Sequence, residues 1–340
     1  MQLFLTQILP TVLMFGLIIF VHEFGHFIAA KLNKIKVLEF ALGMGPAIFK
    51  LTRKGTKYAV RLFPIGGYVS MEGEHDDSED KGAFNRKSVP RKASVVSAGA
   101  AMNLLLGFLI MMITVIMQPG ITGRTITGFV ENSQSLQAGL ESGDKLEKIN
   151  NFGIFTEIDV IFQMDKIRSA GKTDADITVS RNGKSVRLEN VPILDDEGRN
   201  NFYLGRVPKN IINVASESLL KTVSFVRMVW LSIVDLFTGR IGVEQLSGPV
   251  GVSGAVGSAV RSNISSFLVL ISLISINVGI FNMLPFPALD GGRLVFLLIE
   301  SVRRKPLNPK IEAAVNGAGL VLLLVLMVII TFKDVFQLIF

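Results

Sequence analysis

Four stretches of the chain carry no charged residue: Met1 to Val21, Ala93 to Gly123, Ser262 to Leu289, and Ala313 to Phe332. Each reaches the roughly 20 residues that a helix needs to cross a bilayer. The pattern therefore predicts four membrane spans, the first running on helically to about Ala30. Between the second and third spans the pattern changes. Residues 124–207 are charged and turn-rich, with strand signals at Thr125 to Val130, Ile177 to Ser180 and Val186 to Leu188. Asn182-Gly183 marks a two-residue hairpin, and Thr156 to Arg168 has helical spacing. A small α+β domain is expected there.

Asn213 to Phe237 is helical and two-faced, with Leu219, Val223, Val226, Trp230, Ile233, Val234 and Phe237 along one side. Glu217, Lys221, Arg227 and Asp235 interrupt it too often for a span, so it reads as a helix lying in the interface. Gln245 to Val260 is Gly-rich and uncharged. The expected organisation is residues 1–123 with two spans, 124–207 as the inserted domain, 208–261 as interfacial helix and linker, and 262–340 with two more spans.

Hydrophobic residues make up 49% of the 340, and the formal charge is +7. The cations cluster beside the apolar runs: Lys31, Lys34, Lys36, Lys50, Arg53, Lys54 and Lys57 through Arg91 and Lys92 after the first, Arg293 through Lys310 after the third. That distribution orients a membrane protein and is not a nucleic-acid face. Both loops are placed in the cytoplasm, leaving both termini and residues 124–261 on the other side. With no cysteine, thiolate ligands and thiol nucleophiles are excluded.

Within the first cytoplasmic loop, Lys57 to Met71 is rich in β-branched and aromatic residues around Pro64 and Gly66-Gly67. It reads as a hairpin or bent strand whose exposed edge could take up an extended peptide. The following acidic stretch contains His75, expected to be solvated.

Inside the first span lies His22-Glu23-Phe24-Gly25-His26. On a helix the two histidines project from one face, one turn apart, as adjacent corners of a zinc site, with Glu23 beside the metal as a proton acceptor. A buried histidine pair without metal is the alternative, but ionisable groups within a span usually mark function. A third ligand is needed. Asp290 is the only acid between Ser262 and Ile299, in Pro285-Phe286-Pro287-Ala288-Leu289-Asp290-Gly291-Gly292. The prolines and glycines there break the helix and let a carboxylate turn inward. The competing reading is a helix-end acid paired with Arg293.

These residues resemble the site-2 protease family of intramembrane zinc metalloproteases, in its bacterial RseP-type branch. The resemblance extends to Asn282-x-x-Pro285, Glu39-Phe40…Gly43-Met44-Gly45-Pro46, Pro64-Ile65-Gly66-Gly67-Tyr68-Val69 and Leu246-Ser247-Gly248-Pro249. Residues 124–207 are similar to a PDZ domain, with Ala138-Gly139-Leu140 and Gly143-Asp144 in place. What the resemblance implies is a polytopic α-helical membrane protein of about four transmembrane helices, with a membrane-associated β-loop (about 36–72) and an inserted PDZ-like domain. It implies zinc held by His22, His26 and Asp290, catalysis by Glu23 with Asn282, and substrate contacts at Tyr58, Val60, Leu62, Gly66, Gly67, Tyr68 and Asn103.

The implied substrates are single-span membrane proteins already cleaved in their ectodomain, of anti-sigma factor or signal-peptide remnant type, with a peptide or protein ligand at the PDZ domain. The implied location is the bacterial inner membrane. One departure is Ala98-Gly99-Ala100-Ala101-Met102-Asn103, where the family often has a proline after the glycine. Two rivals are a non-catalytic scaffold, which leaves Glu23 without a purpose, and a metal transporter, for which the internal repeat is missing.

Overall fold

The computed structural model describes residues 3–74, 77–195, 197–242, 246–305 and 307–339. His75 lies outside them. The chain divides into two compact units, one formed by residues 1–110 and 232–340, the other by 111–231.

In the first unit, α1 (Leu9–Leu32) follows a π-helical turn at Phe4–Ile8, with Pro10 in its opening turn, where a missing N–H costs no hydrogen bond. It ends at Asn33 and at Lys34, which has φ +55°. The strands β1 (Val37–Arg53) and β2 (Thr56–Met71) follow, then α2 (Val89–Met117), which continues into the second unit. Four helices are long and apolar enough to cross a membrane: Phe4–Leu32, Val89–Met117, Ile264–Asn282 and Lys310–Gln337. The protein is a multi-pass membrane protein. The last of these helices exposes most large side chains from Leu320 to Ile329, as lipid contact requires.

The β1–β2 ladder folds back on itself. Residues 39–42 pair on one side with 57–60 and on the other with 67–70, while 49–53 pair with 56–60. The tight turn is at 54–55, and the Pro64 to Gly67 stretch is a bend within β2. Gly67 to Met71 is therefore an edge, with no further strand pairing outside it among the described residues. The loop is fixed to the helices by Val37, Phe40, Val69 and Met71, which are buried with Ala30, Val95 and Leu297. Phe27, Phe40 and Tyr58 meet edge to face or tilted, with centroids 5.4 to 6.3 Å apart.

In the second unit β3 (Ile121–Phe129), β4 (Lys145–Ile149), β6 (Asp174–Arg181), β7 (Lys184–Pro192) and β8 (Phe202–Val207) form one antiparallel sheet. The order is β7-β6-β4-β3-β8, with the short β5 (Phe152–Gly153) beside β4. Two helices belong to it: α3 (Gln134–Gln137) and α4 (Glu157–Ser169), the latter opened by a Thr156–Asp159 capping box. The core is aliphatic, including Leu140, Leu146, Ile149, Ile177 and Val179, all fully buried. Asn182-Gly183 makes the hairpin between β6 and β7, both with positive φ.

The helix expected from Asn213 is α5 (Ile211–Phe237). Its buried side is polar in the first half and apolar in the second: Ser218, Lys221, Thr222 and Ser224 are buried, as are Phe225, Val229 and Ile233, whereas Leu219, Trp230 and Phe237 are exposed. Lys221 Nζ meets Glu157 at 2.6 Å, and Ser224 donates to Asp159 at 2.8 Å. The second unit thus extends past residue 207 to Leu231, taking in most of this helix. The Gly-rich segment that follows is helical, α6 (Pro249–Ser262), and belongs to the first unit, as do α7 (Ile264–Asn282), α8 (Asp290–Arg303) and α9 (Pro309–Ile339). Helix α8 was not expected from the hydrophobic pattern.

Candidate metal centre

The uncharged sequence around the motif makes α1 continuous, so His22 and His26 lie one turn apart with ring centroids separated by 4.8 Å. Asp290 reaches them because α7 stops at Asn282 and α8 starts at Asp290. Gly291 and Gly292 permit this restart: a β-carbon on either would collide with the carbonyl of Leu284 or of Phe286. The rival pairing of Asp290 with Arg293 does not occur. Arg293 binds Glu74 at 2.7 Å.

The three donors converge. Nε2 of His22 and Nε2 of His26 are 3.2 Å apart, and Asp290 Oδ2 lies 3.2 Å from the first and 3.4 Å from the second. That oxygen is buried and makes no hydrogen bond of proper geometry. Two imidazole nitrogens and a carboxylate oxygen aimed at one point repel unless a cation lies between them. Tetrahedral zinc with bonds of about 2.0–2.1 Å spaces its ligand atoms by about 3.3 Å, so the triangle fits that ion. Among the described residues this is the one cluster of three suitable donors.

The outward nitrogens are also engaged. His26 Nδ1 lies 2.9 Å from the Val95 carbonyl, and His22 Nδ1 lies 3.2 Å from the Asn103 amide. Both partners are on α2, with Gly99 between them. A β-carbon on Gly99 would collide with His26 Nε2 and sit 2.8 Å from His22 Cε1. Val95, Gly99 and Asn103, each four residues from the next, form one stripe of α2 along the histidines.

A cavity of about 540 Å³ opens here, bordered by Glu23, Asn282 and Arg293 as well as the three donors. One wall is the β2 edge from Gly67 to Met71. A β-carbon on Gly67 would lie 2.9 Å from Glu23 Cγ, so the strand runs directly over the glutamate. The Asn282 amide nitrogen donates to the Val278 carbonyl at 3.0 Å.

The substrate-contact residues expected from sequence separate into two groups. Gly67 and Tyr68 line the cavity; the others do not. Tyr58 and Val60 have β1 on both sides, pairing with Phe40 and Leu51 and with Leu42 and Phe49, which leaves no free edge there for an added strand. Leu62 is half-exposed away from the cavity, and Gly66 (φ +76°) packs on Met44. Asn103 is fully buried against His22. Glu74, Gly99 and the Val95 carbonyl were not found from sequence. Only Gly99, four residues before the intramembrane Asn103, left a readable signal.

Comparison with known proteins agrees with this geometry. Residues 10–326 match Peptidase family M50. A protein of Clostridium acetobutylicum, provisionally named a zinc metalloprotease, is 36% identical over 334 residues, covering 97% of each chain. Zinc metalloprotease RasP of Shouchella clausii is 27% identical over 420 residues, covering 98% of this chain and all of its own. The regulator of sigma-W protease RasP of Bacillus subtilis is 26% identical over 422, covering 98% and 99%. Those two alignments are longer than the 340 residues here, so the RasP proteins carry segments this chain lacks. The chain belongs to peptidase family M50, the site-2 protease family, and is a zinc metalloprotease of the membrane.

Proposed function

We propose that this protease hydrolyses peptide bonds in the membrane-spanning segments of single-span proteins. The observation that carries the reading is the strand edge Gly67–Met71, which lines the same cavity as Glu23 and the three donors. A helical substrate has its carbonyls occupied, so it must unwind before it is cut. Pairing the unwound segment with that edge holds it extended over Glu23. Substrates of anti-sigma factor or signal-peptide remnant type, whose ectodomain is already gone, suit this path.

His22, His26 and Asp290 hold the zinc, which when bound acidifies water towards neutral pH and polarises a carbonyl. Glu23 accepts a proton from the attacking water as its oxygen joins the substrate carbonyl carbon. It then delivers that proton to the leaving nitrogen as the C–N bond breaks. Asn282, once released from Val278, donates to the substrate backbone or to the developing oxyanion. Residues 124–207 act as a PDZ domain on the extracytoplasmic side, with both termini there, and admit substrates by size or by a bound peptide. The outward apolar stripe of α5 lies in the membrane interface.

The test is cleavage of a single-span substrate by the purified chain in detergent, with and without zinc, and in parallel with Glu23→Gln and Asp290→Ala. Zinc-dependent cutting within the span, lost in both variants, supports the reading. Cutting only outside the span, or full activity of Glu23→Gln, overturns it.

A further inference from the structure

We infer that Asn103 is a positioning residue for the metal centre and not a substrate contact: its side-chain oxygen accepts the Nδ1–H of His22. The inference rests on the reading of His22, His26 and Asp290 as metal ligands. A neutral imidazole has one N–H and one lone pair. His22 turns Nε2 towards His26 Nε2 and Asp290 Oδ2, 3.2 Å from each, so Nε2 must offer the lone pair there. Nδ1 then carries the proton and needs an acceptor.

Among the described residues, the side chain at hydrogen-bond distance of that nitrogen is Asn103, at 3.2 Å, and Asn103 is fully buried. An amide nitrogen cannot accept. The Asn103 carbonyl oxygen meanwhile is buried and receives no hydrogen bond where it stands. Exchanging the oxygen and nitrogen of the amide, two groups of nearly the same shape whose assignment hydrogen bonding must decide, brings the orphaned oxygen to Nδ1. One half-turn pairs the Nδ1–H with the amide oxygen and carries the amide nitrogen to the place the oxygen held.

His26 shows the same arrangement with a different acceptor. Its Nδ1 faces the Val95 carbonyl at 2.9 Å, a group that can only accept. Both histidines are thus held from α2 by an oxygen on their outward side, the usual device for fixing the tautomer of a metal-binding imidazole. Asn103 is itself anchored: its backbone carbonyl accepts from Ser275 Oγ on α7 at 2.8 Å. The His26 acceptor is backbone and survives any substitution at Val95. The His22 acceptor is a side chain and can be removed.

The experiment measures zinc affinity of the purified full chain by competition with a chromophoric chelator, and the visible spectrum of the cobalt-substituted chain. Asn103→Leu fills a similar volume without an acceptor; Asn103→Asp keeps an oxygen acceptor and cannot donate. The expected result is a 10- to 100-fold loss of zinc affinity and an altered cobalt band for Asn103→Leu. Asn103→Asp should stay close to the unmodified chain in both. Unchanged affinity in Asn103→Leu would overturn the inference, and so would equal losses in the two variants, which would mean that the amide donates. Asp290→Ala and His22→Ala are measured alongside. If those two bind zinc normally, the ligand reading fails first; if they lose zinc while Asn103→Leu keeps it, only the role of Asn103 falls.

Discussion

Glu74 holds Arg293 through a 2.7 Å contact between carboxylate and guanidinium, and the Glu74 side chain is only 5% exposed. The other Glu74 oxygen accepts the backbone N–H of Met71 at 3.0 Å. One carboxylate therefore ties the end of the Gly67–Met71 edge to the helix that opens with Asp290. Both residues border the cavity at the metal centre and a second one of about 650 Å³. Removing Glu74 leaves a partly buried guanidinium uncompensated, which costs up to about 3–5 kcal/mol. Glu74→Ala should lower thermal stability by up to that amount and slow cleavage. A double-mutant cycle with Arg293→Met should return a coupling of about 1–3 kcal/mol. Additive losses would show that the pair does no joint work.

Glu23 touches none of the three donors through a hydrogen bond, yet it borders their cavity. Glu23→Gln should keep the zinc content of the unmodified chain while losing about 10²–10⁴ in cleavage rate. Metal analysis and a cleavage assay on one preparation check this. Stripping zinc with a chelator should abolish cleavage in the unmodified chain, and adding zinc back should restore it.

Gly99 has both histidine rings where its side chain would be. Gly99→Ala should force the rings apart, weaken zinc binding and lower cleavage together. Gly16, on the same helix as the histidines, has no atom within 4 Å of where a β-carbon would stand and provides the control. Gly16→Ala should bind zinc normally and be slightly more stable, by about 0.5–1 kcal/mol. Zinc titration and thermal unfolding distinguish the two.

Glu217, on α5, has its carboxyl raised to about 7 by burial and by the nearby Glu157, against the pull of Lys221 and Arg124. The folded chain keeps this proton where the unfolded chain, titrating near 4.5, has released it. Stability from this group is complete below about pH 4.5, falls as pH rises, and is gone above about 7. Glu217→Gln should therefore gain about 1–2 kcal/mol at pH 8, after allowing for solvent screening, and nothing at pH 4.5. Thermal unfolding at the two pH values measures it.

The spans, the His22–His26–Asp290 triangle and the inserted sheet were legible because each leaves a local mark: long uncharged runs, a four-residue histidine spacing, Asn182-Gly183. Asp290 could be found because a lone acid beside a membrane span has few other uses. The edge strand was only half legible. Residues 57–71 show strand character, but which half pairs on both sides depends on β1 folding back between them, a long-range choice that excludes Tyr58 and Val60 from the site. Helix α8 was hidden because its first turn, Asp290-Gly291-Gly292, reads as a breaker until the close carbonyls of Leu284 and Phe286 explain it. For α5, periodicity marked a stripe of which Leu219, Val223, Trp230 and Phe237 are exposed and Ile233 is buried. It could not tell that charged residues pack as well, since Lys221 and Arg227 find their acids only in the folded sheet domain.

The paired charges of that helix have a practical corollary for anyone dissecting the protein. Glu157 and Asp159 stand side by side at the start of α4, and the cations opposite them, Lys221 and Arg227, both come from α5. Cutting the chain at residue 207 to isolate the sheet would strand two neighbouring anions with no counter-charge. The fragment would then titrate and melt unlike the same residues in the intact protease, and a ligand screen run on it would sample a surface the enzyme never presents.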